Sequence, residues 1–304
     1  MASAQAANRI VQTSFAQGLA EAKGLAARAG RIVPVPGARD YRVGAGAFGG
    51  IGATLSATAT TQALSDWFTF ETSHTLTKKV VKHTVPVHTM QTDYAFAQAG
   101  AQLADSAVAT MDKGYFDGLE GLFTADHPRA GAGAGQVGGA KKYLSLALAF
   151  AQGEAGAGTQ DNLITSALSE SALNTAIKLM LQYRSDRGIA LHIGTSGGLK
   201  LIVAPKNAQT AHELVKSQLS GSDLQSNFIN GLIDDIVVYP LTTDDDDWFL
   251  IDGKNAPCGL AIGEDPTARI SMQTDGLFYD LVAEVDFVFF KSPYEYGIVG
   301  SNVA

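Results

Sequence analysis

Five residues in the stretch LHIGTSGGLKLIVAP, Gly194, Thr195, Ser196, Gly197 and Gly198, spell G-x-S-x-G. That pattern carries the nucleophile of many serine hydrolases. It works only where a strand leads into the serine and a helix leaves it. Here the serine is followed by LKLIVAP, a strand pattern, and the next helical pattern begins after Pro205. The spacing therefore predicts a hairpin turn, in which glycine supplies positive φ and serine or threonine tolerates the bend. The only histidine after Ser196 is His212, inside a helical pattern and followed by Glu213. A serine hydrolase using Ser196 stays as the minor alternative.

Other reactive residue types are present without the spacing their chemistry needs. Asp244, Asp245, Asp246 and Asp247 could attract a cation. A calcium loop counted from Asp244 needs Gly at its sixth place and Glu at its twelfth, where Phe249 and Asn255 stand. The simpler reading is a solvated turn before a strand with a buried Trp248. His74, His83, His88, His127, His192 and His212 never occur as H-x-x-x-H, and Cys258 is the sole cysteine. A zinc site is not supported, and no internal disulfide can form. The Gly/Ala passages 124–140 and 152–160 lack G-x-x-x-x-G-K-[ST] and the strand-then-helix setting of a phosphate cradle. The sequence thus assigns no catalytic, cofactor-binding or metal residue.

The elements that would position any site are easier to read. The chain has 304 residues, 46% hydrophobic and 17% charged, an ordinary folded composition. No run of apolar residues is long enough to cross a membrane as a helix, and the N-terminus reads as an amphipathic arm or helix rather than a secretory signal. Residues 1–45 show no convincing core pattern, and Pro34, Pro36 and Gly37 mark a bend. DWFTFET (66–72) and TLTKKVVKHTVPVHT (75–89) read as strands of a long exposed ribbon, with Val81, Val85 and Val87 on one phase. Such a ribbon is marginal in water and needs support, for which a neighbouring subunit would serve.

A long helix is predicted over 93–123, with Asp93 as N-cap and a stripe of Ala97, Ala101, Ala104, Val108, Met111, Tyr115, Leu119 and Leu122. A second covers 169–188, with Ser169 as cap, Leu173, Ala176, Ile177 and Met180 as its stripe, and Gly188 as its stop. A strand, turn and strand fill 189–204, and a third helix spans 206–219. Strands follow at 232–240, 247–252 and 258–263. A long one near the end alternates Leu281, Ala283, Val285, Phe287 and Phe289 with their neighbours.

Charge is uneven. Residues 1–45 carry six Lys/Arg against two Asp/Glu, and residues 205–304 carry five against sixteen. An acidic body argues against tight, sequence-specific DNA binding. A basic arm on an acidic body suits contact between copies of one chain; two solvated surfaces are the plainer alternative.

The order of elements, with three stretches, resembles a known family. GLEGLFTADHPRAG looks like a passage from spine helix into the next domain. NLITSALSESALNTAIKLMLQYRSDRG with LKLIVAPKNAQTAHELV looks like a helix, glycine, and hydrophobic strand–Pro–helix series. DIVVYPLTTDDDDWFLID and VDFVFFKSPYEYGIVGS look like late strands. Together they resemble the major capsid (major head) proteins of tailed bacteriophages, the Hong Kong phage capsid fold, and in particular the Mu-like head subunit type.

The resemblance implies an α+β fold with an N-terminal arm (1–43) and an extended β-ribbon loop (44–82). It implies a peripheral domain with a spine helix (83–125 and 275–304) and an α/β axial domain (126–274). It implies self-assembly into hexamers and pentamers of an icosahedral head enclosing double-stranded DNA, with a portal and possible scaffold or cement proteins as partners. The expected location is the virion, assembled in the host cytoplasm, with no membrane partner and no enzymatic activity. Some relatives crosslink a loop lysine; Lys78, Lys79 and Lys82 read more simply as solvated lysines on a ribbon. An encapsulin-like shell, loaded with protein cargo, is the alternative within the same fold.

Overall fold

A computed structural model describes residues 4–21, 24–47, 68–90, 92–131, 136–150, 158–185, 188–194, 197–216, 219–220, 225–226, 228–239 and 244–303. In chain order it opens with helices α1 (Ala4–Glu21) and α2 (Leu25–Ala29). Strands β1 (Arg31–Pro34), β2 (Asp40–Ala47), β3 (Phe68–Thr75) and β4 (Thr77–Pro86) lead to the long helix α3 (Asp93–Gly121). Short strands β5 (Leu148–Phe150), β6 (Gly158–Gln160) and β7 (Leu163–Ile164) precede α4 (Glu170–Leu181), β8 (Leu199–Val203) and α5 (Ala208–Lys216). Then come β9 (Leu219–Ser220), β10 (Gln225–Ser226), β11 (Ile233–Val238), β12 (Trp248–Asp252), β13 (Cys258–Ile262), β14 (Thr267–Met272), β15 (Phe278–Lys291) and β16 (Ile298–Ser301). The chain divides into two compact units. One holds Met1–Tyr41, His74–Phe116 and Gly259–Phe290; the other holds Arg42–Ser73, Asp117–Cys258 and Lys291–Ala304.

The first unit is organised by β15, whose alternating apolar residues form the centre of a five-stranded sheet. β14 pairs with it antiparallel from Thr267↔Glu284 to Met272↔Tyr279, and β4 pairs from Phe278↔Pro86 to Phe287↔Thr77. β13 also adjoins it, and β1 lies parallel to β13 from Arg31↔Gly259. A Cβ at Gly259 would collide with the Arg31 carbonyl oxygen, so only glycine lets these strands approach. α1 packs on β14, and Asn8 Oδ1 accepts from the Ile270 N–H at 3.2 Å. Ala7, Val11 and Phe15, spaced by four, are its buried face. A Cβ at Gly100 would sit 2.7 Å from the Val11 carbonyl oxygen, so glycine permits α1 and α3 to cross closely. The missing core pattern of the first 45 residues is thus corrected: a narrow stripe of one alanine, one valine and one phenylalanine is enough once α3 presents small residues to it.

α3 forms where expected but is capped one residue earlier. Thr92 Oγ1 accepts from the Ala95 N–H at 3.2 Å, which makes Asp93 the first helical residue rather than the cap. Its buried stripe within the first unit is Phe96, Leu103, Ala104, Ala107, Tyr115 and Phe116, and Ala101 is exposed. Of the expected stripe, Ala104, Tyr115, Leu119 and Leu122 are buried, while Ala97, Val108 and Met111 are half-buried. Phe96 meets Tyr279 edge-on at 5.8 Å, and Tyr115 meets Phe289 at 5.8 Å.

The expected ribbon is also corrected. β3 pairs with β2, not β4, and β4 lies along the chain's own β15. Residues 48–67, between β2 and β3, lie outside the described residues.

The second unit is built on a sheet in the order β11-β8-β12-β16-β7. β11 and β8 are parallel, while β12 runs antiparallel to both β8 and β16. Every residue of β12, Trp-Phe-Leu-Ile-Asp, is buried, as a central strand covered on both faces must be. Leu173, Ala176, Ile177 and Met180 of α4 pack with Leu199, Leu201, Val203, Trp248, Leu250 and Val299. Ser169 caps α4 through Oγ, which accepts from the Ala172 N–H at 3.2 Å. α4 stops at Leu181, not at Gly188. The Tyr183 hydroxyl donates to the Ile298 carbonyl at 2.7 Å, and the Arg184 N–H donates to Gln160 Oε1 at 2.9 Å, which draws the chain out of the helix. Residues 189–193 form no strand; Ala190 makes a single bridge to Arg184.

Candidate functional site

Thr195 and Ser196 lie outside the described residues. Their flanks are described: Gly194, Gly197 and Gly198 have φ of 73°, 72° and 89°. No strand precedes them, β8 follows, and α5 starts only after a turn of 3-10 helix at Pro205–Asn207. The strand–serine–helix geometry of a nucleophile elbow is therefore not formed by the flanking residues. The described flanking glycines take turn conformations, but no strand precedes them, so the expected hairpin between two strands is corrected. His212 is exposed on α5.

The loop lysines are engaged on the first unit's sheet. Lys82 Nζ lies 2.8 Å from Asp280, Lys78 Nζ lies 3.3 Å from Glu284 and 3.6 Å from Glu264, and Lys79 Nζ sits 4.8 Å above the Phe287 ring. His83 Nε2 is 3.2 Å from Ser106 Oγ. The hydrogen bonds from Lys82, Gln273 and Thr84 hold the Asp280 carboxyl below its ordinary range. Among the described residues no three His, Cys, Asp or Glu side chains gather as a metal site. Cys258 is fully buried.

The four aspartates form a turn, though not a wholly solvated one. Lys206 Nζ bridges both Asp246 oxygens at 2.8 and 2.9 Å, and Asp244 Oδ1 accepts from the Asp246 N–H. Asp247 is buried, at 5% exposure, which corrects the reading of this run as surface. It is carried inward because the next residue, Trp248, fills the core.

The densest concentration of chemistry is elsewhere, in the second unit, where the stretches HPR and PYEY meet. Glu295 is fully buried between His127 and Arg129. Its Oε2 accepts from Arg129 Nη2 at 2.8 Å and lies 3.0 Å from His127 Nε2. The Arg129 backbone N–H donates to His127 Nδ1 at 3.0 Å, so Nδ1 is an acceptor and the ring proton is on Nε2, facing the carboxylate. Arg129 Nε donates to the Pro293 carbonyl at 3.1 Å, and its guanidinium lies 4.2 Å from the Tyr294 ring centroid. His127 stacks on Tyr143, whose hydroxyl donates to the Tyr294 carbonyl at 3.1 Å.

Burial by itself would raise the Glu295 carboxyl; Arg129, then His127, outweigh it and hold the group well below the usual carboxylate range. Arg129 is displaced upward: burial opposes its charge, and Glu295 overcomes that. Burial pushes the Tyr143 and Tyr183 hydroxyls well above their ordinary range. None of these groups has a path for a substrate, since the His127 and Glu295 side chains are wholly covered. What the arrangement can do is fasten two distant segments of chain, 126–129 and 293–296. Sequence reasoning missed it as a site. The signal was charged residues embedded among prolines and tyrosines, with nothing to pair them across 160 residues of chain.

The comparisons bear on the whole chain. A sequence profile described as phage capsid protein matches residues 71–299. No curated protein matches. The fold is shared with the capsid of a native GTA particle at TM-score 0.58, with 11% identity over 93% of this chain and 91% of that one. It is shared with the mature capsid of bacteriophage PhiM1 at 0.55, with 12% identity over 90% and 85%. A virus-like particle from Pyrococcus furiosus gives 0.50, with 12% identity over 97% and 99%. The expected α+β capsid fold is thus observed, and the profile match takes in α3 and every strand from β4 to β15. The chain belongs to the phage capsid protein family, and it is a structural capsid protein of the virion.

Proposed function

We propose that this chain is the major subunit of an icosahedral head, of the Mu-like type, assembling into hexamers and pentamers around double-stranded DNA. The observation that carries the reading is the profile match across residues 71–299, together with a fold shared over most of the chain with capsids. In this reading residues 1–43 are the N-terminal arm and 44–82 the extended loop. Residues 83–125 with 275–304, which hold α3 and β15, are the peripheral domain, and 126–274, which hold β8, β11 and β12, are the axial domain. Assembly occurs in the host cytoplasm, with a portal and scaffold or cement proteins as partners. The subunit acts by packing and not by catalysis. A weakly basic arm on an acidic body suits a shell that encloses DNA without reading it.

Expression of the chain alone, followed by size exclusion and electron microscopy, tests this. Closed particles of megadalton mass are expected. A stable solitary molecule under all assembly conditions would overturn it. Replacing residues 50–66 with a short Gly/Ser linker keeps β2, β3 and β4, and should leave soluble subunits or capsomers without shells. Normal shells from that variant would remove the loop assignment. Particles filled with a protein and free of DNA would favour the encapsulin-like shell instead.

A further inference from the structure

Asp247 is an anomaly among the buried groups. It stands just before β12 with 5% of its surface exposed, and its Oδ1 has no hydrogen-bond partner. Buried polar oxygens are almost always paired, and an orphan is costly. The surrounding polar groups are satisfied. The Trp248 indole N–H donates to the Ser166 carbonyl at 3.2 Å, Ser301 Oγ donates to the same oxygen at 2.8 Å, and the Asn302 N–H donates to the Ile164 carbonyl at 3.1 Å. The β12–β16 register, Trp248↔Ser301, sets Asp247 level with Asn302, where the last residues leave the sheet. The Val303 backbone hydrogen-bonds the Asp247 carboxyl, a contact that by itself favours the charged form and is outweighed by burial and Asp244.

The groups that face it are acidic: Asp244 and Asp246 on its own turn and Glu120 at the end of α3. Lys206, from the turn before α5, is bound to Asp246.

We propose that Asp247 is a proton-operated latch on the carboxy-terminal exit of this sheet. With a proton, the carboxyl is neutral and stays buried, and residues 302–303 keep their place beside the start of β12. Without it, a buried charge faces three carboxylates, and the 244–247 turn and the exit strand separate to let water in. Burial first, then Asp244, lift the carboxyl to about 7, so the latch works near neutrality. The folded group holds its proton more tightly than the unfolded one. Its stabilising state is therefore present at low pH and lost as pH rises towards and through about 7.

Hydrogen exchange read by mass spectrometry on the full chain tests this, with rates corrected for intrinsic exchange. Protection of the amides at 301–303 should fall roughly tenfold or more between about pH 5.5 and about pH 8.5. Asp247→Asn, neutral at both values, should show protection that is the same at both. Asp244→Asn removes one facing charge and should move the midpoint of the transition to lower pH. Protection of 301–303 in the unaltered chain that does not change with pH overturns the latch. So does an Asp247→Asn variant that keeps the pH dependence, or an Asp244→Asn variant with an unmoved midpoint. If Asp247→Asn does not fold, the midpoint shift in Asp244→Asn decides.

Discussion

Two ion pairs in this molecule have the same length and opposite settings. In the first unit, Lys82 Nζ meets Asp280 at 2.8 Å, with 52% and 17% of their side chains exposed. In the second, Arg129 Nη2 meets Glu295 at 2.8 Å, with 1% and 0% exposed. Distance does not separate them; water does. Around Lys82, solvent screens the attraction and would solvate either partner left alone. Around Glu295 there is no solvent to replace a lost partner, so removal of one leaves a bare charge in a low dielectric. The first pair is one tile in a charged sheet surface with Lys78, Glu284 and Arg269. The second is a rivet between two segments far apart in sequence.

The largest expected effect breaks that contrast at its buried end. Glu295→Gln should cost about 3–5 kcal/mol in chemical denaturation, because Arg129 loses its counter-charge. Adding Arg129→Met should restore part of the loss; a double variant no better than the single one would mean the pair is not the cause. The same carboxyl gives a pH signature. It is held below its ordinary range, so its contribution is present above about pH 4.3, the ordinary Glu value, and fades as pH falls below it. Glu295→Gln should therefore flatten the acid limb of the stability curve.

Gly259→Ala tests tight packing in the first unit. The new methyl would meet the Arg31 carbonyl, and about 1–3 kcal/mol of stability should be lost, read from the thermal midpoint. Asp112→Ala comes next. Asp112 accepts from the Ala26 and Leu25 N–H groups at 2.8 and 3.0 Å, capping α2, and its loss should cost about 1 kcal/mol. Lys82→Ala should have the smallest effect, and one that vanishes at high salt. A Lys82→Ala loss as large as that of Glu295→Gln, and unmoved by salt, would refute the contrast.

The elements with a strong internal period were legible. α3, α4, β8, β11, β12, β13 and β15 stand where the apolar spacing put them, because each buries a full stripe or face. Elements whose cores are thin or supplied by others were not. Among its described side chains α1 buries just Ala7, Val11 and Phe15, and it is recognisable as packed only once α3 lies against it. β1 has four residues, and its parallel partner is more than 200 residues away. The serine motif was legible as chemistry that the flanks do not support, since β8 follows it. The buried cluster was not legible, because His127, Arg129 and Glu295 become partners only through contacts across the fold.

By itself the sequence determined the periodic elements, the absence of the spacings that metal and nucleophile chemistry need, and a likeness to capsid subunits. The tertiary structure alone decided which strand pairs with which, that β4 lies on β15, and that His127, Arg129 and Glu295 share one buried site. The reason is physical: periodicity is a property of neighbours along the chain, whereas register, burial of charge and the cost of an orphaned oxygen depend on groups that only folding brings together.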